Sequence, residues 1–241
     1  MKIADTAVLV TGANRGLGRA LVEAALSRGV RRVYAGTREP LIHSDRRVRP
    51  VTLDVTNAVQ IKAALEQIDT LDVLVNNAGS YRHDDLSDRA ALERLLAVNL
   101  LGTYAVTQAC LPLLIRSRGA IVNVLSLAAV APVPFDPSYS ISKAAAFSMS
   151  QSLRALLAGR GVSVHAVLAG PLDTDMTRDL NVPKTAPDSA ARAILDGLEK
   201  MEEEIFPDPM SQSVADGWRN GAVKALARQF AAYVEQTPVG S

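Results

Sequence analysis

Short runs of β-branched and apolar residues alternate along this chain with longer segments of helical periodicity, and no other feature of the sequence constrains the fold as strongly. Six runs are typical of buried strands; they cover residues 7–10, 32–35, 48–53, 71–75, 120–125 and 162–168. The segments between them are too long for hairpins, so consecutive strands should be parallel and joined by helices. The alternation therefore predicts an α/β fold in which a doubly wound parallel sheet lies between two helical layers.

The chain of 241 residues has no internal repeat, and no linker rich in proline and glycine divides its first two hundred residues. We therefore interpret residues 1–241 as a single domain. The pattern becomes irregular after the last run, which indicates a substrate loop at about 174–187. Helical spacing then predicts a C-terminal helical extension at about 211–235, which we expect to serve packing or a subunit contact. Its apolar positions are Val223, Leu226, Phe230 and Tyr233.

Composition limits the classes of ligand. A net charge of +1 gives no electrostatic reason to expect nucleic acid or an anionic membrane as partner. Cys110 is the only cysteine, so an intrachain disulfide is excluded. The N-terminus lacks the features of a signal peptide, and no uninterrupted apolar run reaches about 18 residues. We expect a cytoplasmic protein without a membrane partner, whose ligands are small molecules.

Several residues that can bind metals or react are not predicted to have a catalytic or metal-binding role. The histidines show no spacing typical of metal ligands, so we expect no metal, and His165 is predicted to be a satisfied core histidine. Cys110 lies in an apolar helix, where burial is expected rather than reactivity. Glu199 and the run 202–204 are interpreted as a solvated acidic helix end; a contact with a neighbouring subunit is the alternative.

A glycine-rich turn follows the first strand. Its sequence is Thr-Gly-Ala-Asn-Arg-Gly-Leu-Gly over residues 11–18, and the helix that it opens should end near Gly29 in a left-handed C-cap. Glycines let the backbone approach a pyrophosphate, and a helix N-terminus favours an anion. This position favours a dinucleotide site, although a merely tight strand-to-helix connection is the alternative. The predicted cofactor contacts here are Gly12, Asn14, Arg15, Gly16, Leu17 and Gly18.

The residues after the second strand bear on the choice of cofactor. A site for NAD usually has an acidic residue there, which binds the ribose hydroxyls and repels a 2′-phosphate. This chain has Gly-Thr-Arg at 36–38 instead. Arg38 and Arg15 could converge on a 2′-phosphate, which favours NADP(H) over NAD(H); two solvated surface arginines are the alternative.

Two further predicted contacts follow the third and fourth strands. Asp54, followed by Val55, could accept a hydrogen bond from an adenine amino group, or it could cap the helix that begins near Asn57. The small residues of Asn77, Ala78 and Gly79 permit close approach to a ribose. Asn76 could instead tie neighbouring strands together.

The strongest chemical pattern is Ser126, thirteen residues before Tyr139, with Lys143 four residues further on. Residues four apart share one face of a helix, so the ammonium can lie beside the phenol. Asp136 and Pro137 are predicted to form the N-cap and first turn of this helix. The lysine charge and the helix N-terminus would both lower the pKa of Tyr139, which would make it a competent general acid and base.

In this order and spacing, the glycine turn, Asn-Asn-Ala-Gly, serine and Tyr-x-x-x-Lys resemble the short-chain dehydrogenase/reductase family over roughly residues 6–206. The resemblance implies a Rossmann-type fold and hydride transfer at the nicotinamide, with Tyr139 as the proton-transferring group. It also implies that Lys143 binds the nicotinamide ribose, that Ser126 orients the substrate, and that Asn99 holds a water in a proton relay. Family members often form homodimers or homotetramers.

After the sixth strand, Gly170, Leu172 and Thr174 resemble the family's nicotinamide-contacting segment. The family usually has Pro-Gly there, whereas this chain has Ala169 in place of the proline, so we expect a less rigid turn. Apolar residues at 127–133, Phe135 and a loop at 176–183 should surround the reacting carbon, which suggests a small hydrophobic carbonyl or alcohol substrate.

Two other functions are compatible with this pattern. A dinucleotide-binding fold can lose its chemistry and act as an NADP(H) sensor. An epimerase or lyase can use the same Tyr and Lys pair, but such enzymes generally need a larger substrate domain than the thirty-five residues that follow Phe206. The four catalytic-type residues favour the oxidoreductase.

Overall fold

The computed structural model describes residues 1–236, with side chains through residue 232. In this part of the chain, seven parallel strands form one sheet in the order β3-β2-β1-β4-β5-β6-β7. They are β1 Ala7–Thr11, β2 Arg32–Thr37, β3 Val48–Thr52, β4 Val73–Asn76, β5 Ala120–Val124, β6 Ser163–Val167 and β7 Glu204–Ile205. The predicted doubly wound α/β fold of the Rossmann type is confirmed. The sequence pattern misses β7, because its two residues are too few to show periodicity.

Helices cover both faces of the sheet. They are α1 Gly16–Ser27, α2 Ala58–Leu65, α3 Arg89–Leu96, α4 Thr103–Ser117, α5 Pro137–Ala158, α6 Pro187–Glu199, α7 Pro209–Arg219 and α8 Ala222–Gln236. Alternate residues of β1 point to opposite layers: Val8 and Val10 pack with α1 and α6, whereas Ala7 and Leu9 pack with α2, α4 and α5. Helix α1 ends as predicted, with Gly29 at φ +75° directly after its C-cap.

Residues 89–117 form one continuous helix, in which a π-helical segment, Ala97–Gly102, joins α3 to α4. By length and composition alone, this helix could cross a membrane. Its buried face, which includes Val106, Cys110 and Leu114, packs against the sheet, and core helices of soluble proteins pass the same test. Burial raises the pKa of the Cys110 thiol to about 12, in keeping with the predicted inert cysteine.

One of the glutamates at the end of α6 departs from the solvated acidic helix end that the sequence suggests. Glu204 is a buried residue of β7, and its carboxylate lies 2.5 Å from the Lys224 ammonium of α8. Glu203 makes a second contact of 2.5 Å with the same ammonium. The prediction is wrong for Glu204, because β7 carries this residue into the interior, whereas the Glu203 side chain remains 46% exposed. His165 is a satisfied core histidine as expected, with ring nitrogens 2.6 Å from the Glu202 carbonyl and 2.9 Å from the Ser163 hydroxyl.

The C-terminal segment contains two helices, α7 and α8. Of the apolar positions with helical spacing, Val223, Leu226 and Phe230 are exposed on α8, and Tyr233 lies outside the described side chains. Among the side chains of α8 that the structure describes, Lys224 is the buried one.

Candidate active site

The glycine turn lies where the strand order reverses, between β1 and β4, at the carboxyl ends of the strands. Gly12 and Gly16 adopt φ values of +66° and +50°, which side chains rarely tolerate. Gly18 serves close packing instead, because a Cβ there would lie 2.1 Å from the Gly12 carbonyl oxygen. The buried Leu17 anchors the first turn of α1 in the core. The turn thus leaves the N-terminus of α1 facing the sheet edge where ligands bind in such folds.

The loop after β4 is tied to this turn. The Thr11 hydroxyl accepts hydrogen bonds from the amides of Asn77 and Ala78, at 3.0 and 2.9 Å. The Asn77 side chain donates to the Thr11 and Gly12 carbonyls at 2.9 and 3.2 Å. The Asn76 side chain joins β4 to β5 through a 2.9 Å hydrogen bond to Asn123, which confirms the structural role considered for it.

The charged residues predicted for the cofactor lie at the same edge. Asn14, Arg15 and Arg38 are exposed, and the Arg15 guanidinium lies 3.3 Å from the Asp175 carboxylate. Hydrogen bonds from Thr56 lower the pKa of Asp54, and the Arg38 charge adds to this effect. Arg38 therefore lies near Asp54, while Arg15 reaches towards the loop after β6.

Asp54 does not cap α2, which corrects the alternative role considered for it. Asn57 is the N-cap, and its side chain accepts from the amides of Val59 and Gln60. The Asp54 carboxylate instead accepts from the Thr56 amide and hydroxyl, at 2.8 and 2.7 Å. Val55 is buried against Gly102 of the π-helical segment, where a Cβ would lie 2.7 Å from the valine methyl.

Ser126, Tyr139 and Lys143 come together between the end of β5 and the first turns of α5. The Ser126 hydroxyl acts on the Tyr139 phenol as a hydrogen-bonding partner that lowers its pKa. The Lys143 ammonium lies 5.7 Å from the Tyr139 ring centroid and donates a 3.0 Å hydrogen bond to the Val124 carbonyl. Spacing along α5 thus places the Lys143 ammonium beside the Tyr139 ring, as expected from the sequence.

Asn99 belongs to the same neighbourhood. It is buried in the π-helical segment, a departure from α-helix that is frequent at functional sites. Its amide donates to the Ser142 hydroxyl and the Ser80 carbonyl, both at 2.9 Å. A Cβ on Gly79 would lie 3.4 Å from the Asn99 side-chain oxygen and 3.7 Å from the Lys143 ammonium. Gly79 therefore lies between the predicted relay residue and the catalytic-type lysine.

The electrostatics differ from the sequence-based expectation. Burial raises the pKa of Tyr139 to about 12, the hydrogen bond with Ser126 opposes this rise, and the Asp136 charge adds to it. Burial also lowers the pKa of Lys143 to about 8. The expected lowering of the Tyr139 pKa by Lys143 and the helix N-terminus is therefore wrong for this structure. The cost of removing a phenolate from water outweighs the attraction of its neighbours.

Asp136 precedes α5, but its side chain does not cap the helix, which corrects a second expectation; Pro137 does occupy the first turn. The Asp136 carboxylate accepts a 3.0 Å hydrogen bond from the Tyr81 hydroxyl and lies 2.5 Å from His83 Nδ1. Asp84 supplies the cap, since its carboxylate accepts from the Ser138 amide at 3.2 Å.

The loop that follows Gly79 therefore contributes three residues to the site that sequence reasoning missed: Tyr81, His83 and Asp84. The polar residues that follow Asn-Asn-Ala-Gly are a sequence signal for such a role. Their partners at the start of α5 lie more than fifty residues away in sequence, so local spacing does not identify the contacts. A cavity of about 450 Å³ opens beside this loop. Its lining is largely charged, with Phe135 as its aromatic wall. The side chains described through residue 232 contain no group of three or more metal-ligating residues.

The turn after β6 is held by hydrogen bonds, which bears on the expectation of a less rigid turn. The Gly170 amide donates to the Asp208 carboxylate at 2.8 Å. The Thr177 hydroxyl donates to the Leu172 carbonyl, and a parallel bridge joins Leu172 to Thr185. A Cβ on Gly16 would lie 3.2 Å from the Thr174 methyl, so this turn meets the glycine turn after β1.

Comparisons with known proteins agree with this geometry. The family model for short chain dehydrogenases matches residues 6–185. The 3-oxoacyl-acyl-carrier-protein reductase of Aquifex aeolicus is 36% identical, covering 75% of this chain and 79% of the relative. The corresponding reductase of Thermotoga maritima is 33% identical, covering 85% and 89%.

The structural comparison covers more of the chain. The crystal structure of a short chain dehydrogenase from Burkholderia cenocepacia in complex with NADP is 40% identical and superimposes with a TM-score of 0.87, covering 95% of this chain and 98% of that one. The sheet topology and the matched region lead to one conclusion. This chain belongs to the short-chain dehydrogenase family of oxidoreductases.

Proposed function

We propose that this chain is an NADP-dependent oxidoreductase that transfers a hydride between the nicotinamide and a ketone, aldehyde or secondary alcohol, with Tyr139 as general acid and base. The observation that carries the proposal is the meeting of Tyr139, Ser126 and Lys143 at one end of the sheet. A serine hydroxyl, a phenol and an ammonium in this arrangement can hold a carbonyl oxygen and give it a proton.

In the reducing direction, the Ser126 hydroxyl holds the substrate carbonyl oxygen and the Tyr139 hydroxyl gives it a proton. A Tyr139 pKa of about 12 keeps the phenol protonated at neutral pH, which is the form that an acid needs. Lys143, whose pKa is lowered to about 8, can exchange protons near neutral pH and bind the ribose hydroxyls. When bound, the reduced nicotinamide supplies the hydride.

The residues present fit a phosphorylated dinucleotide. Gly12 and Gly16 hold left-handed backbone conformations in front of α1, which leaves room for a pyrophosphate. Exposed arginines at positions 15 and 38 carry the charge that a 2′-phosphate requires. The Burkholderia cenocepacia relative, whose crystal structure contains NADP, supports the same choice. NAD(H) is the alternative cofactor.

The substrate proposed is a small carbonyl compound or alcohol with an apolar part. Phe135, Met176 and Val182 belong to the segments that the sequence predicts around the reacting carbon, and their exposed side chains can contact such a substrate. The charged lining of the adjacent cavity adds polar contacts that the sequence did not suggest. Because two relatives are named as 3-oxoacyl-acyl-carrier-protein reductases, a 3-oxoacyl thioester belongs among the substrates to test.

We also propose that the protein acts in the cytoplasm as a homodimer or homotetramer. Apolar side chains on the outer faces of α4 and α5 support a subunit contact: Tyr104, Ile141 and Leu156 are each at least 42% exposed. Such side chains gain free energy when a partner covers them.

The test is a screen of ketones, aldehydes, 3-oxoacyl thioesters and alcohols with NADP(H) and NAD(H), followed by absorbance of the reduced nicotinamide. We expect turnover with NADP(H) and a loss of about 100-fold or more in Tyr139→Phe, since general acid catalysis contributes about 10²–10⁴-fold. NADPH binding should be retained in that variant. Tight NADPH binding without turnover on any substrate would favour the sensor function, and full turnover by Tyr139→Phe would refute the role of the phenol.

A further inference from the structure

One partly buried contact connects the turn after β6 to the C-terminal extension. The Gly170 amide donates a 2.8 Å hydrogen bond to Oδ2 of Asp208, the residue just before α7. A Cβ at position 170 would lie 2.6 Å from Oδ1 of the same carboxylate and 3.2 Å from the Met210 Cβ. The N-terminus of α7 therefore lies directly against the glycine of this turn.

The Asp208 carboxylate is itself held in place. Asp208 is 2% exposed, and its side chain accepts from the Ser211 amide and hydroxyl, both at 2.9 Å. The Ser211 hydroxyl also accepts from the Asp208 amide, which completes a capping box at the start of α7. A carboxylate at a helix N-terminus is further stabilised by the helix dipole. The hydrogen bonds with Ser211 of α7 therefore fix the orientation of the Asp208 carboxylate towards Gly170.

The other end of α7 contacts the helix that carries Tyr139 and Lys143. The Trp218 and Phe147 rings lie 5.4 Å apart, and Phe147 is one turn beyond Lys143 on α5. Trp218 also packs against the apolar cluster that contains Leu125, the residue before Ser126. The extension thus spans from the turn at Gly170 to the residues that surround the reacting group.

We propose that Asp208 is a positioning residue for the cofactor, which holds the turn at residues 170–172 in the geometry that binds the nicotinamide end. The C-terminal extension is then part of the cofactor site rather than only a packing element. The proposal rests on the proposed function, because it assumes that this turn contacts the dinucleotide. It also explains how a turn with Ala169 in the place of proline stays ordered, since the side chain of Asp208 replaces the restraint of a proline ring.

The test measures NADPH binding by fluorescence titration and thermal unfolding of the purified full-length chain, without substrate. We expect Asp208→Ala to weaken NADPH binding about tenfold or more, because the turn must then be ordered on binding. Asp208→Asn should stay within about threefold of the unchanged protein, since the amide oxygen can still accept from the Gly170 amide. Asp216→Asn makes the same change of charge on an exposed residue of α7 and serves as the matched control.

Gly170→Ala tests the same contact from the other side and remains informative if Asp208→Ala does not fold. Its added methyl should weaken NADPH binding, and it should do so less in the Asp208→Ala background, where the collision with the carboxylate is gone. In steady-state assays the effect should lie in the KM for NADPH, with a smaller change in kcat.

Unchanged NADPH affinity in Asp208→Ala would overturn the proposal. So would equal losses in Asp208→Ala and Asp216→Asn, or a loss in Asp208→Asn as large as that in Asp208→Ala. Absence of NADPH binding by the unchanged protein would instead contradict the proposed function, and this proposal with it. The two failures are therefore distinguishable.

Discussion

The Tyr81 hydroxyl donates a 3.0 Å hydrogen bond to the buried carboxylate of Asp136, which lies three residues before Tyr139. The Tyr81 ring meets the Tyr139 ring edge-on, at 5.1 Å between centroids and 82° between planes. Burial and the bond to Asp136 raise the pKa of Tyr81, so that its hydroxyl remains a donor. The Asp136 carboxylate, which accepts from Tyr81, thus lies close to the proposed acid and base.

Asp136→Asn should move the pH dependence of alcohol oxidation to lower pH. Oxidation requires the Tyr139 phenolate, so its rate rises as pH approaches the Tyr139 pKa, which the Asp136 charge raises. Removing that charge lowers the pKa and increases the phenolate fraction at a given pH below it. The measurement is kcat/KM for an alcohol against pH.

Tyr81→Phe is the control for this experiment, since it removes the hydrogen bond to Asp136 but leaves the Asp136 charge in place. It should not move the profile to lower pH. Equal shifts in both variants would indicate a purely structural effect, and an unchanged or raised inflection in Asp136→Asn would contradict the electrostatic account.

Arg38→Asp should shift the cofactor preference from NADPH towards NADH. A carboxylate at this position repels a 2′-phosphate and can accept from the ribose hydroxyls. The ratio of kcat/KM for the two cofactors is the measurement. Arg32→Asp makes the same change of charge at the opposite, exposed end of β2 and should leave the ratio as it is. A ratio that Arg38→Asp leaves unchanged would count against the phosphate site.

Gly18→Ala should destabilise the protein by about 1–3 kcal/mol, as overpacking of a close contact usually does. The new methyl would meet the Gly12 carbonyl at 2.1 Å and the Asn77 amide at 2.6 Å, so the glycine turn must shift. Gly217→Ala is the matched control, because nothing lies within 4 Å of its Cβ position in α7. That change should stabilise by about 0.5–1 kcal/mol. Urea unfolding measures both, and similar losses in the two variants would refute the steric argument.

Lys224→Met should cost about 3–5 kcal/mol of unfolding free energy, because it leaves buried carboxylate charge with fewer partners. The Lys224 side chain is 3% exposed and contacts Glu203 and Glu204. Arg154 would remain as a partner of Glu204, at 2.8 Å. Lys200→Met, at the exposed end of α6, is the control. A loss below about 1 kcal/mol in denaturant unfolding would show that Lys224 contributes little.

Local patterns predicted much of this molecule. Three features depend on residues that are close in sequence. They are the strands of four to six residues with β-branched side chains, the helix that the glycine turn opens, and the shared helix face of Tyr139 and Lys143. Periodicity and spacing report such relationships directly. The sequence pattern does not predict the short strand β7, because two residues are too few to show an alternating periodicity. Without that strand, the pattern predicts a surface position for Glu204, which is buried in the structure.

The sequence by itself determined the order of strands and helices, the glycine turn and the four residues that gather at the end of the sheet. Only the tertiary structure decided that Asp136 accepts from Tyr81 instead of capping α5, that Asp208 holds Gly170, and that the pKa of Tyr139 rises. The reason is physical. A hydrogen bond between distant segments and the loss of water around a phenol depend on what the whole fold brings together, which no local spacing records.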